Sequence, residues 1–69
     1  FNLNRPSLAI RAYRKGIKAD PRSIETWENL GAVYQALERT KEAKKAYETI
    51  LEIDPDNSAG LRFFRRLQD

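Results

Sequence analysis

The 69-residue sequence has room for one small domain and carries 13 Lys and Arg against 10 Asp and Glu, a net charge of +3. It contains no Cys and no His, which removes disulfides, and all but removes structural zinc, as staples for so small a core. No apolar run approaches the roughly 20 residues of a membrane-spanning helix, and the polar opening shows no signal-peptide pattern.

Helical periodicity predicts four elements in chain order. The first helix is expected over residues 5–19, with Pro6 in its first turn and an apolar stripe of Leu8, Ala9, Ala12, Tyr13, Gly16 and Ile17. Asp20-Pro21 ends it, because a proline disfavours helix in the residue before it. Ser23 is the expected cap of a second helix over 24–37, with Glu25 in its first turn and Trp27, Leu30, Gly31, Tyr34 and Leu37 as its stripe. Thr40 is the expected cap of a third helix over 41–53, containing Ala43, Ala46, Tyr47, Ile50 and Leu51, and Asp54-Pro55 ends it. Asn57 or Ser58 opens a fourth helix with Leu61, Phe64 and Leu67 as its apolar edge. The connections are short, so consecutive helices pack antiparallel, and no segment alternates with period two for long enough to form a strand. The expected fold is all-α.

A period of 34 runs through these elements. Residues 3–21 align with 37–55 at seven identities: Leu3/Leu37, Arg5/Arg39, Ala9/Ala43, Ala12/Ala46, Tyr13/Tyr47, Asp20/Asp54 and Pro21/Pro55. Within 24–57 the spacing Trp27, Leu30, Gly31, Tyr34 continues with Ala43, Tyr47 and Pro55. This pattern resembles the tetratricopeptide repeat, W-x2-L-G-x2-Y followed by a small residue, an aromatic and a proline. The resemblance covers the chain as one full repeat, 24–57, between the second helix of a preceding repeat, 1–23, and the first helix of a following one or a capping helix, 58–69. It implies antiparallel helix pairs stacked as a right-handed α-solenoid. Arg65 stands where the family favours a small residue and Gln68 where it favours an aromatic, so the fourth helix reads as a terminal cap. The start at Phe1 and the absence of Met suggest a segment of a longer chain or a processed N-terminus.

The resemblance implies a protein-interaction scaffold whose first helices line a concave groove. Carried onto this chain, the groove residues are Glu25, Glu28, Asn29, Ala32, Gln35 and Ala36, joined by Ala59, Arg62, Phe63 and Arg66, with Phe63 as an exposed aromatic. This polar surface of mixed sign suits an extended or helical peptide. The alternatives are a purely structural segment of a longer array and a basic nucleic-acid surface. Asn29 occupies the place that family members use to grip a C-terminal carboxylate, but the accompanying cationic sites fall on Ala59 and Phe63. Trp27, Leu30, Tyr34, Tyr13 and Tyr47 have the spacing of core residues, and Trp27 is expected to be largely buried between three helices.

Charge is segregated, with net +5 over 1–23, −4 over 24–57 and +2 over 58–69. Arg11, Arg14, Lys15 and Lys18 form one face of the first helix, but no aromatic interleaves with them as a nucleic-acid platform would require. There is no Gly-rich phosphate loop and no buried-looking carboxylate pair, so no enzyme, cofactor or metal is expected. The Leu8, Ala12 and Ile17 side of the first helix lacks a partner helix, and Phe63 and Phe64 point in different directions. Both features predict weak self-association.

Overall fold

The computed structural model describes residues 5–68 and shows four helices in chain order, with no strand among the described residues: α1 (Pro6–Ala19), α2 (Ile24–Ala36), α3 (Thr40–Ile53) and α4 (Ser58–Gln68). The Leu3/Leu37 match lies partly outside the described residues. Each helix packs on its neighbours in sequence, α1 on α2, α2 on α3 and α3 on α4. Short connections at 20–23, 37–39 and 54–57 fold each helix back on the one before.

The 34-residue period is visible in the backbone as one turn built twice. Asp20 N–H donates to Gly16 O at 2.9 Å and Asp54 N–H to Ile50 O at 2.8 Å, closing α1 and α3. Both aspartates leave the helical region, at φ −142° and −138°, as the prolines after them require. The Asp20 carboxylate accepts from Arg22 N–H at 3.2 Å, and the Asp54 carboxylate from Asp56 N–H at 3.1 Å. Ser23 then caps α2 by accepting from Thr26 N–H at 3.4 Å, while Asn57 caps α4 by accepting from Gly60 N–H at 2.9 Å.

The middle turn differs from expectation. Thr40 is the first residue of α3 rather than its cap, which falls on Arg39 with no side-chain capping bond. The Arg39 guanidinium is committed elsewhere: it pairs with Glu42 at 2.7 and 3.0 Å and lies 5.4 Å from the centroid of the Tyr34 ring. Leu37, expected in the α2 stripe, is an exposed residue just past the helix end. Glu38 follows it at φ 59°, and Arg39 N–H reaches back to Tyr34 O at 2.8 Å. This is a left-handed helix terminus of the kind glycine usually makes.

The core lies between α2 and α3 and extends to α4. Leu30, Val33, Tyr34, Ala43, Ala46, Tyr47, Ile50 and Phe63 are its buried apolar residues, and no polar side chain is buried with them among the described residues. Gly31 exists to let α3 in, because a Cβ there would stand 2.7 Å from Tyr47 Cε2. Gly16 does a milder version of the same for Thr26, at 3.2 Å.

Two sequence expectations about faces fail. Trp27 is half-buried rather than enclosed: it packs against the core and donates its indole N–H to Pro21 O at 2.7 Å. On α4 the buried residues are Gly60 and Phe63, while Leu61 and Leu67 are about half exposed. The reason is the number of neighbours. α2 is covered on two sides, by α1 and α3, whereas α4 packs chiefly on α3. In the repeat register Gly60 and Phe63 correspond to Thr26, which faces Gly16 of the preceding helix, and to Asn29, which is exposed. Leu61, Phe64 and Leu67 correspond to Trp27, Leu30 and Val33, and no helix among the described residues covers all of them.

Candidate functional site

The face shared by α2 and α4 carries the expected groove residues, and the structure brings a subset of them together. Gln35 from α2, Tyr47 from α3 and Ala59, Arg62, Phe63 and Arg66 from α4 surround a depression of about 150 Å³. At roughly 30 Å³ per water molecule this admits one side chain or a terminal group, not an enclosed peptide. Phe63 corrects its expected role. It is 5% exposed and stacks on Tyr47 with ring centroids 4.5 Å apart, so it forms the floor and is not an exposed aromatic. Phe64 meets the Phe63 ring edge-on at 5.2 Å.

The polar groups at this face are held in place. Tyr47 O–H donates to Gln35 Oε1 at 3.2 Å, and Asn57 Nδ2–H donates to Glu28 Oε2 at 3.1 Å across 29 residues of chain. Burial pushes the Tyr47 phenol above its ordinary value, and the Glu28 carboxylate adds to the effect. Arg62 and Arg66 are exposed one turn apart on α4. Neither takes part in an ion pair among the described residues, where the one pair is Arg39–Glu42. Two guanidinium groups over a floor of stacked aromatics can receive a carboxylate or a peptide carbonyl.

Glu25, Asn29 and Ala36 are exposed and Ala32 is half-buried, and none of the four lines the depression. Asn29 therefore faces no cationic partner there, with Ala59 and Phe63 at the places where cations would stand. Sequence reasoning placed Tyr47 in the core alone and missed its hydroxyl at the site. It also missed Asn57 as a brace for Glu28, which has no local signature because one lies in the turn before α4 and the other within α2, 29 residues away. No cluster of acidic residues with the arrangement of a metal site occurs among the described residues.

Four helices wound pairwise around small-residue contacts, repeating at 34 residues, define a helical-repeat protein. Residues 24–57 match the tetratricopeptide repeat, and the chain belongs to that family, a non-catalytic repeat scaffold that mediates protein–protein interaction. The chain is 38% identical over 66 residues to the N-terminal acetyltransferase A complex auxiliary subunit NAA15 of Arabidopsis thaliana, covering 96% of this chain and 7% of that protein. It is 36% identical over 50 residues to protein bimA of Emericella nidulans, covering 72% of this chain and 6% of that protein. The chain thus spans less than a tenth of the length of these relatives.

Proposed function

We propose that the α2–α4 face binds a segment of a partner polypeptide, with one of its side chains or its end seated in the depression bounded by Arg62, Arg66 and Gln35. The observation that carries this is the meeting of three helices at a built floor, Tyr47 stacked on Phe63, beneath two arginines that have no carboxylate partner among the described residues. The name of one relative, an auxiliary subunit of a complex, supports a role in assembly rather than in chemistry. Specificity comes from the bidentate geometry of the guanidinium groups and from the Gln35 amide, affinity from contacts spread along α2.

The test is peptide selection from a random display library against the chain, followed by amide chemical-shift mapping of a selected peptide. Shifts should concentrate on α2 and α4, and Arg62→Glu with Arg66→Glu should abolish them. Selected peptides that map elsewhere, or that bind the doubly reversed variant as well as the original, would overturn this reading. A chain that selects no peptide would favour the competing role of a spacing segment in a longer array, for which the half-exposed Leu61 and Leu67 speak.

A further inference from the structure

A second cleft lies on the other side of α2, between α1 and α3. These two helices both rest on α2 and hardly touch each other, which leaves a slot of about 470 Å³. Its floor is apolar: Ile17 from α1, Trp27 and Leu30 from α2, and Ala46 from α3. The Trp27 indole N–H is already bonded to Pro21 O, so the ring offers the slot an apolar surface without an unsatisfied donor. Arg14 from α1 and Lys45 from α3 stand at the rim, with Glu42 of α3 also lining the slot. Glu42 is engaged by the two-point pair with Arg39, which leaves the rim cationic in effect.

The charge does not stop at the slot. Arg14 also lines a neighbouring depression of about 570 Å³ on the outer flank of α1, together with Arg11, Lys15 and Lys18. The helix carries no acid over Pro6–Ala19, and none of its four cations is ion-paired among the described residues. Apolar slot and basic flank are therefore one continuous surface joined at Arg14. A solvated face that balanced its own charge would place acids among these cations, as α3 does with Glu42, Glu48 and Glu52.

We infer that this surface is a docking site for an acidic polypeptide segment carrying one apolar residue, the apolar side chain entering the slot beside Trp27 and the carboxylates lying along Arg14, Lys45 and the α1 flank. Complementary charge sets the direction of approach and the slot sets the register. A nucleic acid would find the cations but not its usual platform, because the two aromatics that line the slot are a partly covered indole, Trp27, and a buried ring, Tyr34, beneath the Arg39 guanidinium, which leaves no open pair for base stacking. The site is separate from the α2–α4 face and shares no charged residue with it.

Trp27 is the single tryptophan of the chain, so its emission reports on the slot directly. The probe is a set of short synthetic peptides of Asp and Glu around one central Phe or Leu, titrated into the intact chain. Binding should shift or quench the emission, and replacing the central residue by Ser should weaken it about tenfold. Arg14→Glu with Lys45→Glu should weaken it by a similar factor, while Arg62→Glu with Arg66→Glu should leave it unchanged, which separates this site from the other. Because Arg14 and Lys45 are exposed, the reversed variant should melt as the original does. If it does not fold, Arg14→Ser with Lys45→Ser and a salt titration decide the same point. An emission that no acidic peptide alters, binding indifferent to the central residue or to the charge reversals, or tighter binding of an oligouridine than of any peptide would each overturn the inference.

Discussion

Replacing Gly31 by Ala sets two quantities against each other. Inside an exposed helix the change would stabilise by about 1 kcal/mol through helix propensity. Here the new methyl carbon would stand 2.7 Å from Tyr47 Cε2 and 2.9 Å from Cζ. The ring cannot easily give way, since it is stacked on Phe63 at 4.5 Å, hydrogen-bonded to Gln35 through its hydroxyl and 5% exposed. Overpacking of this kind costs about 1–3 kcal/mol, so the net effect is a loss of up to about 2 kcal/mol. In a domain this small each kcal/mol moves Tm by about 4–8 °C. Thermal unfolding followed by far-ultraviolet circular dichroism measures it. Gly60→Ala is the control. Its methyl would also come close, 2.8 Å from Leu51 Cδ2, but Leu51 is a flexible, half-buried side chain able to change rotamer, so the loss should be smaller. The decisive arm is Gly31→Ala in a Tyr47→Leu background, where the ring is gone and the substitution should stabilise by about 1 kcal/mol. If Gly31→Ala acts alike in both backgrounds, or raises Tm in the original chain, the close approach of α2 and α3 is not what glycine serves.

Three further outcomes follow from other parts of the structure. Glu38→Gly should raise Tm, by the equivalent of up to about 1 kcal/mol, because φ 59° strains a side-chain-bearing residue and not glycine; a lower Tm would show that the Glu38 side chain contributes more than its backbone costs. The raised Tyr47 phenol makes stability fall as pH climbs past the ordinary tyrosine value of 10.0, since the unfolded chain releases that proton first; Tyr47→Phe should flatten this alkaline decline of Tm, and an unchanged slope would place the effect elsewhere. Leu8, Leu61 and Leu67, each about half exposed at the two ends of the helix row, should produce weak concentration-dependent association in sedimentation, and a strictly monomeric species at high concentration would show that these ends are already inert.

The parts of the fold written into the sequence are those whose cause is local. Asp-Pro closes α1 and α3 because a proline acts on the residue beside it, and Ser23 caps α2 through an atom three residues from its partner. What stayed illegible depends on which neighbours a helix has. The α4 periodicity puts Leu61, Phe64 and Leu67 on the apolar edge and Phe63 outside it, whereas packing against α3 buries Phe63 and leaves Leu61 and Leu67 half exposed. Trp27 differs for another reason: its pattern marks a core position and α2 has both neighbours, but the gap between α1 and α3 leaves the indole half open. Of the candidate site, Gln35, Arg62 and Arg66 are residues that the family resemblance implies, whereas the Asn57–Glu28 and Tyr47–Gln35 bonds join residues 29 and 12 apart and leave no trace in spacing.

The paired turns at Asp20-Pro21 and Asp54-Pro55 make the chain splice-tolerant in one frame. Copying residues 21–54 and inserting the copy after Asp54 joins an aspartate to a proline at the new seam, so every junction of the lengthened chain has the dipeptide and the carboxylate-to-backbone bond already present twice. The inserted unit would carry its own Gly31–Tyr47 contact and its own cap at Ser23, and α4 would keep α3 as its neighbour. A copy one residue short, 21–53, would join Ile53 to Pro55 at one seam and lose the Asp-Pro pair there. Growth and loss by slippage between copies are therefore free of structural penalty only in whole units, which ties the length of such a chain to an integer.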